Sequence, residues 1–234
     1  MTYVLIPGAG GAAWYWHRVE AALRQRGHDV VAVDLPADDE AAGLPEYVDA
    51  ILAAIGDRQQ DLVLVAQSMG AFSAPQVCAQ RPVSLLVLVN PMIPAPGETA
   101  GDWWANTGQA EAMRENDVRE GRTGVAGPGD PGFDQDVYFL HDVPEHVAAA
   151  GAAHQRGQAG TPFGQPWPLA AWPDVPTRML TGRDDRLFPA AFQRRLAEQR
   201  LGLTPDEIDG GHLAALVHPA RVADYLESAA RTAQ

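Results

Sequence analysis

The sequence predicts an α/β fold built on a mostly parallel, six-stranded sheet flanked by helices. Three observations predict it. Short apolar runs without polar alternation recur along the chain, as strands buried on both faces do. Helix-like segments follow most of these runs. The alternation breaks once, after the fourth run, and then resumes. The 234 residues, 46% of them hydrophobic, suit one such domain carrying an insertion.

The first run, Tyr3–Ile6, is stopped by Pro7-Gly8. A helix over Trp14–Arg26 follows and Gly27 ends it. Val30–Leu35 is the second strand, closed by Pro36, and Pro45–Ile55 is a helix with proline in its first turn. The third strand, Leu62–Ala66, ends abruptly at Gln67-Ser68-Met69-Gly70, and Ala71–Gln80 is helical. Val83–Val89 is the fourth strand and ends at Asn90-Pro91. From Pro94 to Pro173 the chain is rich in Trp, Gly and Pro. Within that stretch Glu111–Arg119 and Pro144–Gln158 predict helices, whereas Gly121–Gly132 and Thr161–Pro168 predict loops. The alternation resumes with a strand at Thr177–Leu180, a helix at Pro189–Gln199, a short strand at Glu207–Asp209 and a helix at Pro219–Ala230. Residues 1–93 and 174–234 are therefore expected to form the core, with 94–173 as a helical cap inserted after the fourth strand.

Composition excludes several chemistries. All 17 basic residues are Arg, so no Schiff-base lysine and no Walker A lysine exist. A net charge of −13 repels phosphate backbones and anionic membrane surfaces. The single cysteine, Cys78, permits neither an intramolecular disulfide nor a cysteine metal cluster. The N-terminal segment lacks a basic region and a long apolar run. The expected setting is cytoplasmic. The expected partner is a small molecule, with no nucleic acid, membrane, cofactor or metal. The sequence sets no oligomeric state.

In open parallel sheets, sites lie at the carboxyl ends of the strands. The third strand ends Ala66-Gln67-Ser68-Met69-Gly70, an A-x-S-x-G variant of the strand–turn–helix elbow that exposes a nucleophilic serine. The bland alternative is a helix-capping serine. Only three other serines exist, and none has this setting: Ser73 and Ser228 lie in helices and Ser84 starts a strand. A serine nucleophile needs a base, and the base an orienting carboxylate. Asp184 or Asp185 follows the fifth strand, and His212 follows Gly210-Gly211 after the sixth. The other six histidines are expected to be solvated or packed, with His141 and His146 at most lining the pocket. The turn Gly8-Ala9-Gly10-Gly11 lacks the register of a dinucleotide-binding loop. It suits an oxyanion loop, with backbone N–H donors from Ala9 and Met69.

These motifs resemble the α/β-hydrolase superfamily, and within it the branch of small esterases and hydroxynitrile lyases. The resemblance covers residues 3–94 and 174–230 and is weak in the cap. Pro7-Gly8 and Ala66-Gln67 replace the family's usual His-Gly and Gly-His. The family's acid follows G-x-x-D-x-x-x-P, which Gly182 to Pro189 matches with Asp185 and not Asp184. The resemblance therefore implies a Ser68–His212–Asp185 triad. Lyase members place Lys after the catalytic histidine, where this chain has Leu213. Branches with an aspartate nucleophile are disfavoured by Ser68. The expected activity is hydrolysis of a small lipophilic ester or lactone through an acyl-enzyme. Gly8, Gln67, Trp103, Trp104, Tyr138, Phe139 and Trp167 are the expected substrate contacts. The alternatives are a non-hydrolytic or C–C bond-cleaving enzyme on the same triad, such as a cyclase or decarboxylase, and a non-catalytic receptor.

Overall fold

A computed structural model describes residues 1–122 and 133–233. Its strands are β1 (Thr2–Ile6), β2 (Asp29–Ala32), β3 (Leu62–Gln67), β4 (Leu85–Val89), β5 (Thr177–Gly182) and β6 (Asp206–Ile208). They form one sheet in the order β2-β1-β3-β4-β5-β6, and every pairing is parallel. The chain steps outward from β1 to β2, then returns to pair β3 on the other side of β1. The strand order therefore reverses between β1 and β3, the point where such sheets open a crevice.

The central strands are apolar at nearly every position, Thr2 and Gln67 at their ends apart, because both faces are covered. Successive residues alternate between two apolar layers. Val4, Ile6, Leu64, Ala66, Leu86 and Leu88 face one layer, completed by α2 (Leu44–Ile55), α3 (Ala74–Cys78) and α8 (Ala190–Leu201). Tyr3, Leu5, Val63, Val65, Val87 and Val89 face the other, completed by α1 (His17–Gln25), α9 (Ala214–Val217) and α10 (Pro219–Thr232). Between β4 and β5 lie α4 (Ala100–Thr107), α5 (Gln109–Arg119), a π-type turn at Asp136–Leu140, α6 (Glu145–Gly151) and α7 (Thr161–Gly164). Among the described residues this stretch adds no strand to the sheet. No helix of the described residues is long and apolar enough to cross a membrane.

Several boundaries differ from the sequence expectation, each for a local reason. β2 stops at Ala32 rather than Leu35, because the Leu35 N–H is drawn to the Gly11 carbonyl at 2.9 Å. The expected helix Ala71–Gln80 is a 3-10 turn (Ser68–Phe72) followed by the short α3, where Pro75 supplies no N–H. The helix expected over Pro144–Gln158 ends at Gly151, and beyond His154 the chain extends as a strap. Arg156 and Gln158 in that strap bond other loops instead of their own turn. The loop expected at Thr161–Pro168 begins with α7. Helix α4 was not anticipated, though Thr99 caps it by accepting the Asp102 N–H at 2.9 Å and Gly108 ends it in the left-handed conformation. Most of the loop expected at Gly121–Gly132 falls on 123–132, outside the described residues.

Candidate active site

β3 runs into a sharp turn at Ser68, whose φ of 52° lies in the left-handed region. A non-glycine residue stays there only when its surroundings fix it. Its carbonyl accepts the Met92 N–H at 3.0 Å. The neighbouring chain must also be small: a Cβ on Gly70 would stand 2.8 Å from the Pro7 carbonyl oxygen. A Cβ on Gly8 would stand 2.8 Å from Ser68 Cβ and 2.5 Å from Gln67 Oε1. Gly8 thus provides space at the nucleophile rather than a contact surface.

His212 reaches this turn from beyond β6. Its Nε2 lies 3.2 Å from Ser68 Oγ and its Nδ1 2.8 Å from Asp185 Oδ2. Asp185 Oδ1 accepts the N–H groups of Leu187 and Phe188 at 2.9 and 2.8 Å, so the carboxylate cannot turn away. With Nδ1 facing a carboxylate, the imidazole carries its proton there and offers the Nε2 lone pair to the serine. The rings of Phe139 and Phe188 meet His212 edge-on, with centroids 5.3 and 4.9 Å away. Asp184 instead accepts the Gly210 N–H at 3.0 Å, so it braces the histidine loop without touching the ring.

Two further clamps on that loop were not foreseen. Asn90, at the end of β4, is fully buried and its φ is 43°. Its amide donates to the Gly211 and His212 carbonyls at 3.2 and 3.1 Å and accepts the Gly182 N–H at 2.7 Å. Asp142 accepts the Gly211 N–H at 2.6 Å. His141 stands behind the same glycine rather than on the cleft wall, and burial pushes its imidazole below the ordinary histidine range despite Asp142 beside it. The only signals in the sequence were a polar residue at a strand end and a His-Asp pair with no motif around it.

A cleft of about 610 Å³ opens above Ser68 and His212. Gln67, Trp104, Phe139, Phe133, Phe163 and Leu187 are among its lining residues. Trp103, Tyr138 and Trp167, expected as substrate contacts, lie outside that lining and are buried in the apolar layer beneath. The Trp103 indole N–H donates to the Ile93 carbonyl at 2.9 Å, and the Tyr138 hydroxyl bonds Asp117 at 2.6 Å. The polar ends of Trp103 and Tyr138 are spent on the fold, and the burial of all three side chains outside the cleft lining corrects the expectation for these residues. Adjacent Trp103 and Trp104 fall on opposite sides of the wall because neighbours on a helix point in different directions.

The loop after β1 borders the same cleft through Ala9 and Gly10. Gly10 and Gly11 have φ of 81° and 64°, conformations that favour glycine. Met69 is the second residue of the 3-10 turn that begins at the nucleophile, where the first N–H groups lack intrahelical partners. Among the described residues no three His, Cys, Asp or Glu side chains converge to hold a metal ion.

A profile described as the alpha/beta hydrolase family matches residues 3–225. The probable esterase PIR7A of Oryza sativa subsp. indica is 37% identical over 113 residues, 42% of either chain. Norfluorocurarine synthase 1 of a Strychnos species is 33% identical over 104 residues, 39% of either chain. The alignments thus span about two-fifths of the length of these relatives. An extracellular alpha/beta-hydrolase from a Paenibacillus species superposes with a TM-score of 0.76 over 98% of both chains at 17% identity, a likeness of fold.

Proposed function

The chain belongs to the alpha/beta hydrolase family, and from that premise we propose that it is a serine esterase acting on a small lipophilic ester or lactone. Ser68 Oγ attacks the ester carbonyl while His212 Nε2 takes its proton. Asp185 holds the ring and stabilises the imidazolium that forms. The Ala9 and Met69 N–H groups receive the developing oxyanion. The alcohol leaves with a proton from His212. His212 then draws a proton from water as it attacks the acyl-enzyme, and returns that proton to Ser68 Oγ as the acid is released. No step calls for a metal or cofactor. Residues 94–173 act as the cap, with Trp104, Phe139 and Gln67 as the substrate contacts. The single thiol, Cys78, accords with a cytoplasmic setting.

One observation carries this reading. An unbroken hydrogen-bond line joins Asp185, His212 and a left-handed Ser68 at the floor of a cleft with aromatic walls. That wall supports the lipophilic ester class: it presents Trp104, Phe133, Phe139 and Phe163, and among the described residues no carboxylate lines it. A series of nitrophenyl esters and a fluorophosphonate probe test it together. Wild type should hydrolyse short or aromatic acyl esters and take the probe at Ser68, and Ser68→Ala should do neither. Full activity in Ser68→Ala would sink the assignment.

The synthase relative favours one second reading, in which the same triad serves a non-hydrolytic reaction. Turnover in ¹⁸O-labelled water separates the two. The label enters the acid product only if hydrolysis occurs.

A further inference from the structure

The Gly10 N–H is already paired within the protein, with a residue that borders the same cleft. It donates to Gln158 Oε1 at 2.9 Å, across 148 residues of sequence. The other end of that side chain is also fixed. Gln158 Nε2 donates to the Tyr47 hydroxyl at 3.1 Å and to the Ala159 carbonyl at 2.9 Å. Tyr47 is a buried residue of α2, so the anchor reaches the core. The strap around Gln158 is docked along its length. Ala159 N–H donates to the Ala37 carbonyl at 2.6 Å, Arg156 donates to the Leu35 carbonyl at 3.0 Å, and Thr161 donates to the Glu40 carbonyl at 2.6 Å. Further along the loop, the Leu35 N–H donates to the Gly11 carbonyl and the Ala13 N–H to Asp34. The Gly-rich loop is therefore held both by the chain after β2 and by the strap docked on that chain.

We propose that Gln158 is a positioning residue for the oxyanion loop, so that docking of the cap strap sets the aim of the Ala9 N–H. The proposal rests on the esterase reading above. Its physical basis is simple. The Ala9 N–H lies in the Gly8–Ala9 peptide plane, whose carbonyl accepts the Gly11 N–H at 3.1 Å; the next plane, Ala9–Gly10, meets it at the Ala9 Cα, and the freedom of Gly10 would let that second plane rotate and carry Ala9 with it. The hydrogen bond to Gln158 fixes the Ala9–Gly10 plane, and with it the Ala9 Cα on which the Ala9 N–H turns. An oxyanion donor works only when it is aimed before the charge develops. Gly10 itself is committed to Gln158 and is not a donor to the oxyanion.

Gln158→Ala leaves the plane untied and Gln158→Glu keeps an acceptor for the Gly10 N–H. With wild type active on a nitrophenyl ester, Gln158→Ala should lose about tenfold in kcat with KM within about twofold, less than the ~10²-fold or more that follows removal of a donor outright. Affinity for an arylboronic acid, whose adduct with Ser68 presents a tetrahedral oxygen, should fall by the same factor. Gln158→Glu should restore kcat to within about threefold of wild type. Hydrogen exchange supplies a readout independent of turnover: the Gly10 amide should lose protection in Gln158→Ala and keep it in Gln158→Glu. Unchanged kcat and boronate affinity in Gln158→Ala would overturn the proposal. So would a rise in KM alone, or unchanged protection at Gly10. If wild type hydrolyses no ester, the esterase reading fails, and the exchange measurement still decides whether Gln158 holds the loop.

Discussion

Replacing Asn90 with alanine should be among the most damaging single changes outside the triad. Three hydrogen bonds vanish together, to the Gly182 N–H and to the Gly211 and His212 carbonyls, all inside the protein. Water cannot readily replace them, because Asn90 is fully buried. Each group left unpaired costs on the order of 1 kcal/mol or more, so the three together cost about 3 kcal/mol. Alanine must also adopt the φ of 43° that asparagine tolerates, which adds about 1 kcal/mol. The sum, about 4 kcal/mol, is a large part of the 5–15 kcal/mol that typically holds a domain together. At about 2–4 °C per kcal/mol for a chain of this size, Tm should fall by roughly 8–16 °C. Function should suffer beyond stability, because the lost contacts hold the backbone at His212. Well below Tm, kcat should fall at least about tenfold while Ser68 remains in place. Urea unfolding and steady-state kinetics on Asn90→Ala measure both. A stability change under about 1 kcal/mol, or an unchanged kcat, would refute the idea that this amide ties the histidine loop to the sheet.

The two neighbouring aspartates should separate cleanly. Asp185→Asn should cost on the order of 10⁴-fold in kcat, as when a triad carboxylate becomes an amide, whereas Asp184→Asn should stay within about tenfold because it only accepts from Gly210. Trp103→Ala should lose about 3–5 kcal/mol by chemical denaturation with little selectivity change; Trp104→Ala should instead raise KM for aromatic esters with a smaller loss of stability. Burial pushes the Cys78 thiol up to about 12, so iodoacetamide at pH 8 should label it only after unfolding. His141 is held below its ordinary value chiefly by burial, with Asp142 and the more distant Asp184 and Asp185 opposing and Arg186 reinforcing the shift. The unfolded chain therefore binds more protons than the native one once pH drops below about 6.5, so stability is present above that value and declines as pH falls through the native value. Urea midpoints between pH 7.5 and 5 should show this decline, and His141→Gln should flatten it.

Where the signal was local, the sequence was legible. A serine between an apolar strand and a helix, an aspartate three residues past the end of another strand, and a histidine behind two glycines each follow from short-range patterns, and the sheet brings them together because all three sit at strand carboxyl ends. The aromatic residues of the cap were legible only as a class. Whether a tryptophan faces the cleft or the core depends on which side of α4 meets the sheet-covering helix α8: both tryptophans touch Phe188, but Trp103 alone packs on Phe192. Adjacent residues of one type give no local cue to such a choice.

The supporting shell of the candidate site was illegible for a different reason. Asn90, Asp142 and Gln158 are ordinary polar residues whose partners lie 121, 69 and 148 positions away. Nothing beside them in the chain distinguishes a clamp from a solvated side chain. Their common feature appears only in three dimensions: each holds a backbone segment that contains glycine, the Gly210-Gly211 turn or the Gly8–Gly11 loop. Glycine lets those segments come close to Ser68 and to β5, and the same freedom would leave them loose. A buried or strap-borne amide or carboxylate on each loop offsets that looseness through directional hydrogen bonds. The glycine pattern therefore tells where clamps must exist, even though it cannot tell which residues supply them.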